Sequence, residues 1–189
     1  MGKRSKRMAL CGMMVALAVV IMLLGGAIPL ATFCCPVLAS LALIPLLLEY
    51  GRKWTLMAYA AVAALGLMLS PDKEAALLFA FLGYYPALKP ALDNIKRRAL
   101  RIIAKLSVFN LAAGAMLLSI AFVLRMDAII AEYTAMGIAG GIVFAILANI
   151  TMLLYDRMLV VTAFMYIKKM RPALMGGKGR RHLHPSLLR

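Results

Sequence analysis

Acid is scarce in this chain. Seven Asp and Glu stand against 22 Lys and Arg in 189 residues, with two His, three Cys and one Trp. Cysteines at 11, 34 and 35 form neither a CxxC metal pair nor the framework of a disulfide-stapled secreted domain. Adjacent Cys34 and Cys35 read as small apolar fillers near the start of a helix. No HExxH, no GxSxG, no Walker-type phosphate loop and no paired acids inside an apolar run occur. No catalytic residue, bound metal or cofactor is therefore expected, and the chain has no ATPase of its own. His182 and His184 are two histidines on a basic tail, which is a weak basis for a metal site. The formal charge of +15 raises the question of nucleic acid. The basic residues, however, fall between and beyond apolar segments, with no nucleic-acid-binding module, so no nucleic-acid partner is expected.

Apolar sequence is what the chain has in abundance. The hydrophobic fraction is 65% and the mean hydropathy +0.92, against roughly 45–50% apolar content in soluble domains. Six apolar stretches read as crossings of a bilayer, whose ~30 Å core takes about 20 helical residues, the second of them short. They are residues 8–28, 34–48, 54–69, 71–88, 106–124 and 136–155. Ser70 is expected to cap the fourth, with Pro71 at its first position and Asp72 and Glu74 in its first turn. Pro86, lacking an N–H and crowding the Leu82 carbonyl, predicts a kink near the other end, at Gly83-Tyr84-Tyr85-Pro86. Tyr84 and Tyr85 fit an interfacial aromatic belt better than a ligand contact. Residues 89–105 hold six basic residues and one acid, Asp93, with apolar residues at near-helical spacing. They read as an amphipathic helix along the inner face. Residues 158–167 are expected to continue the last span at the inner surface, because a later span would place Asp156 and Arg157 deep in lipid. Asn110 and Asn149 read as an interhelical hydrogen bond.

Charge placement then sets the topology. Six crossings put 20 of the 22 Lys and Arg on one side and only Lys73 and Arg125 on the other. The positive-inside rule makes the first side cytoplasmic and places both termini there. The fold expected is an all-α integral membrane bundle of six transmembrane helices over residues 1–170, with residues 171–189 as a basic, mobile cytoplasmic tail.

Two segments carry a family resemblance. A basic start leads into a first helix rich in small residues, Arg7 to Ala18 (RMALCGMMVALA), and the last span ends Leu153 to Leu159 (LLYDRML). In these and in its six-span layout the chain resembles the S components of energy-coupling factor (ECF) transporters, the substrate-binding subunits of vitamin importers. The resemblance implies a nutrient bound from outside, a membrane coupling subunit, two cytoplasmic ATPases and a plasma-membrane location. Family members dock through small residues on helix one; Ala9, Gly12 and Ala16 occupy comparable places here, without the family's Ala-xxx-Ala spacing. The outer charges beside span ends, Asp72, Lys73 and Glu74 with Asp127, Glu132 and Tyr133, are the expected polar contacts to the nutrient. The alternative is a non-transporting scaffold of the cell-shape type. The two separate on whether the outer half holds a closed polar cavity of roughly 300 Å³ or more.

Reporter fusions at the two ends check the topology. An alkaline phosphatase fused after Arg189 and another before Met1 are expected to stay inactive, with one inserted at Asp72 active. Activity at either terminus overturns the six-crossing arrangement.

Overall fold

The computed structural model describes residues 3–25, 31–124, 134–135 and 137–171, and every element among them is helical. Asp127, Glu132 and Tyr133, and the tail with His182 and His184, lie outside the described residues. The helices are α1 (Lys3–Gly25), α2 (Ala31–Leu41), α3 (Ile44–Tyr50), α4 (Arg52–Leu69), α5 (Lys73–Leu82), α6 (Tyr85–Asp93), α7 (Arg98–Leu118) and α8 (Gly137–Met165). The last two extend as π-helical turns, Ser119–Leu124 and Tyr166–Met170.

Five helical runs are long and apolar enough to cross a membrane: Arg7–Gly25, Thr32–Tyr50, Lys73–Asp93, Arg98–Phe122 and Gly137–Met170. α4 is shorter, at 18 residues, and opens with Arg52 and Lys53, which lower its apolar average. It still reaches about 27 Å at ~1.5 Å per residue. Two of the runs are broken by proline. Pro45 and Pro86 each stand in the first turn of the new helix, α3 and α6, where a missing N–H costs nothing. The expected kink is thus a full break between α5 and α6, at Gly83 and Tyr84.

The helices meet on faces set by four-residue spacing. Leu10, Met14, Ala18 and Met22 form the buried face of α1, against Ala39 of α2, Ala58 and Val62 of α4, and Ala75, Ala76 and Phe79 of α5. Hydrocarbon solvates apolar side chains as well as a protein interior does, so association rests on close packing, and alanines permit it. A second cluster joins Ile44 and Leu47 of α3, Tyr85 of α6, Phe109 of α7 and Met152, Tyr155 and Leu159 of α8. α8 is otherwise outward-facing: only 6% of its apolar window is buried, and Ile142, Ile146, Ile150, Leu154 and Val161 are exposed.

Three local expectations are corrected. The cap of α5 is Asp72, not Ser70: its carboxylate accepts the Ala75 N–H at 3.0 Å, and the helix begins at Lys73. The surface helix expected over residues 89–105 does not form. α6 ends at Asp93, a turn follows, and α7 runs unbroken from Arg98, because Lys105 is neutralised inside the bundle (below) and can sit within a span. Tyr85 is buried rather than interfacial.

One end of the bundle gathers three distant pieces of chain. The Arg7 guanidinium lies 5.4 Å from the Tyr50 ring centre and 5.1 Å from that of Trp54. Arg171 Nε meets Glu49 Oε1 at 2.7 Å. The start of α1, the α3–α4 turn and the end of α8 therefore share one end. That turn depends on Gly51, whose φ of 80° and ψ of −179° fall in a region essentially reserved for glycine. Gly51→Ala is expected to cost about 1–3 kcal/mol, read as a lower midpoint in thermal unfolding of the detergent-purified protein. Gly12→Ala, with no atom within 4 Å of the added methyl, should leave that midpoint unchanged.

Candidate functional site

A cavity of about 300 Å³ lies between α2, α5, α7 and α8. α2 contributes Phe33, Val37 and Ser40, α5 Leu78 and Leu82, α7 Phe109 and Met116, and α8 Phe144, Thr151 and Tyr155. The helical register makes this lining. Phe33, Val37 and Ser40 recur at intervals of four and three, as do Phe144, Ala148, Thr151 and Tyr155, so each set shares one face. Pro36 and Gly83 also line the space. Among the described residues no charged side chain borders it.

Its polar content is three hydroxyls. Thr151 Oγ1 donates back to the Leu147 carbonyl at 2.9 Å. Ser40 Oγ donates to the Val37 carbonyl at 2.6 Å and also lies 2.6 Å from the Tyr155 hydroxyl. The Ser40–Tyr155 contact ties α2 to α8 across 115 residues of sequence and forms the polar spot of an otherwise hydrocarbon-like chamber.

Next to the cavity, toward the α6–α7 turn, sits a closed ionic cluster. Tyr85, Lys89 and Asp93 stand four apart on one face of α6. Lys89 Nζ is 2.5 Å from Asp156 Oδ1 and 3.1 Å from Asp93 Oδ2. Lys105 Nζ is 2.6 Å from Asp93 Oδ1 and 2.9 Å from Asp156 Oδ2. The Tyr85 hydroxyl donates to Asp156 Oδ1 at 2.7 Å. Two ammonium groups meet two carboxylates, so the cluster carries no net charge, and Lys89 and Lys105 are both buried. Asp156 lies 19 residues from the start of α8, about 28 Å along its axis at ~1.5 Å per residue. On α7 and α8 alike, the cavity residues lie toward the helix end near Asp72's side of the bundle and the charged residues lie beyond them. The cluster pins α6, α7 and α8 together and leaves no carboxylate pair free to ligate a metal.

The residues expected from sequence to touch a nutrient stand elsewhere. Asp72 is fully engaged at the start of α5: besides capping Ala75 it accepts the Thr32 hydroxyl at 2.7 Å. Lys73 donates to the Leu67 carbonyl at 2.9 Å and is exposed. Glu74 is half-buried in the first turn of α5. None of the three lines the cavity. Ala9, Gly12 and Ala16 are all exposed on α1, opposite its buried face, so among the described residues nothing packs over this small-residue stripe. Asn110 and Asn149 do pair, each donating a side-chain N–H to the other's Oδ1, at 2.8 Å and 3.3 Å.

The ionic cluster is what sequence reasoning missed. Its signal was present: Asp93 and Asp156 are isolated acids in segments that are otherwise basic or apolar, and an acid in such a place needs a partner. Comparison of the chain with protein-family models, with curated proteins and with solved structures found no match.

Asp156→Asn keeps the shape of the cluster but leaves two buried ammoniums facing one carboxylate. A loss on the order of 3–5 kcal/mol is expected for such a broken buried pair, read as loss of the monodisperse peak after heating in mild detergent. Removing Lys105 as well, in Lys105→Met with Asp156→Asn, restores charge balance and should recover much of the loss. A single variant as stable as the parent would show the cluster to be dispensable.

Proposed function

We propose that this chain is the substrate-binding membrane subunit of an ECF-type importer in the plasma membrane. It crosses six times, with α4 as the third crossing and both termini cytoplasmic. The observation that carries this reading is the half-open cavity of about 300 Å³ between four helices, at the lower end of the volumes that small-molecule sites occupy. Two further features support it. Arg7 and Arg171 both meet the Glu49–Trp54 turn, which agrees with termini on a common side. The exposed stripe of Ala9, Gly12 and Ala16 offers a helix of a coupling subunit the close approach that small residues allow.

In this reading the protein performs no chemistry. It captures a nutrient from outside among α2, α5, α7 and α8, while the ionic cluster holds α6, α7 and α8 as one block. Separate ATPases, acting through the coupling subunit on α1, supply the energy for release inward. The apolar lining and the half-open mouth both stand on the side of a non-transporting scaffold, since a closed polar cavity distinguishes the carrier more sharply.

Affinity purification from the native membrane tests the two together. The parent chain is expected to bring down a second multispan protein and two ATPases, along with one enriched small molecule seen by mass spectrometry. Gly12→Trp should lower recovery of the protein partners at least about tenfold, equivalent to ~1.4 kcal/mol, and keep the small molecule. Recovery of cell-wall or cytoskeletal proteins with no small molecule would establish the scaffold instead.

A further inference from the structure

The hydrogen bonds at the polar spot of the cavity have a direction, and that direction selects a ligand class. A hydroxyl has one hydrogen to donate and two lone pairs to accept with. Ser40 gives its hydrogen to the Val37 carbonyl at 2.6 Å. The 2.6 Å contact with Tyr155 must then be made by the Tyr155 hydrogen, donated to Ser40 Oγ. Both hydrogens are committed, and so is that of Thr151, on the Leu147 carbonyl. The three hydroxyls of the lining therefore have only lone pairs left to offer. A ligand group that accepts, such as a carboxylate, a carbonyl or an ether, finds no donor there. A group that donates finds an acceptor.

The rest of the lining excludes charge. Phe33, Phe109 and Phe144 with Leu78 and Met116 surround the space, and no cation or carboxylate borders it among the described residues. The nearby ammonium groups of Lys89 and Lys105 are held by Asp93 and Asp156 and are not available to neutralise a ligand anion. An ionised ligand would lose its hydration without compensation.

We infer that the cavity takes an uncharged, largely apolar, ring-bearing small molecule whose single polar group is a hydrogen-bond donor, an alcohol, phenol or ring N–H, seated on the Ser40–Tyr155 pair. This rests on the cavity being the binding site proposed above and narrows what occupies it. It also excludes the polar contacts at Asp72 and Glu74 from recognition of the deeply bound part of the ligand.

Photolabelling with three matched probes tests the inference on the full-length protein in lipid nanodiscs. The probes are trifluoromethyl-diazirinyl benzyl alcohol, its methyl ether and the corresponding benzoate, with adducts mapped by peptide mass spectrometry. The alcohol is expected to label α7 and α8 peptides around Phe109 and Phe144 saturably, with half-saturation about three- to tenfold below that of the ether, the range one hydrogen bond supplies. The benzoate should label least. Ser40→Ala frees the Tyr155 hydrogen, so the alcohol's advantage over the ether should vanish or reverse, an effect that general loosening of the cavity does not produce. Ala148→Phe or Leu117→Trp, each checked for a monodisperse peak, should block labelling by filling the space. Equal labelling by alcohol and ether in the parent, or preference for the benzoate, overturns the ligand class and leaves the binding cavity standing. Displacement of the alcohol by added phospholipid identifies an acyl chain as the occupant and also overturns it. No saturable labelling by any probe, with α7 and α8 peptides recovered, overturns the cavity as a binding site and the class with it.

Discussion

Hydrocarbon offers no hydrogen bonds, and that single constraint organises this molecule. A polar group within a span must find its partner inside the chain. The serine and threonine hydroxyls in the spans largely turn back on their own helices: Ser40 on Val37, Thr55 on Gly51, Ser119 on Ala115 and Thr151 on Leu147. The two asparagines satisfy each other across α7 and α8, and each places its second N–H on a carbonyl four residues back. Four ionised side chains close into a neutral ring with Tyr85 attached. Among the described residues the Tyr166 hydroxyl, Arg7 Nε and Asp93 Oδ2 are buried without a hydrogen bond, Asp93 Oδ2 having the Lys89 ammonium 3.1 Å away as its ionic partner. Arg7 instead lies against the rings of Tyr50 and Trp54 at the end of the bundle, where attraction to the ring faces takes the place of hydrogen bonding.

The same constraint decides how much of the fold could be read from the residues. The apolar runs that make α1, the joined α2 and α3, the joined α5 and α6, and α8 are legible because a twenty-residue hydrophobic stretch has few other uses. The break at Gly83 and Tyr84 is legible because Pro86 is stiff wherever it stands. Segment 89–105 was misread for a definite reason. Six basic residues among apolar ones carry the pattern of a surface helix, and sequence spacing cannot reveal that Asp156, 51 residues beyond Lys105, returns to neutralise it. Pairing at long range is a property of the fold. Asp72 illustrates the converse case. An acid beside a span end reads equally as a ligand contact or a cap, and only the folded chain shows the hydrogen bonds to Ala75 and Thr32 by which Asp72 caps α5.

The cavity differs in character from a pocket read off the outer charges. A search among outer charges assumes that a binding site announces itself by polarity. Here the chamber lies deeper, between residues that sequence inspection assigns to ordinary packing: Phe109, Met116, Phe144 and Met152 are the residues any buried helix face would show. Only their failure to meet distinguishes a cavity from a core. That failure follows from the helix arrangement. The first cluster draws α1, α2, α4 and α5 together through alanines, while α8 joins the bundle mainly through α3 and α7. The space is left where the two groups diverge.

Placing a neutral salt cluster directly beside an apolar chamber has a physical consequence. A charged ring with a net monopole would pull water into the neighbouring space and favour an oppositely charged ligand. A ring of two lysines and two aspartates does neither, since its field falls off quickly with distance. It ties α6, α7 and α8 together beside the chamber wall formed by Phe109, Met152 and Tyr155. In a fold whose helices gain little from the hydrophobic effect, such a wall needs a strong tie near it, and the ion pairs supply one without making the chamber polar. The two hydroxyls at the chamber's edge follow the same economy: Ser40 and Tyr155 meet each other, and Ser40 also meets the Val37 carbonyl, so their polarity is spent within the protein.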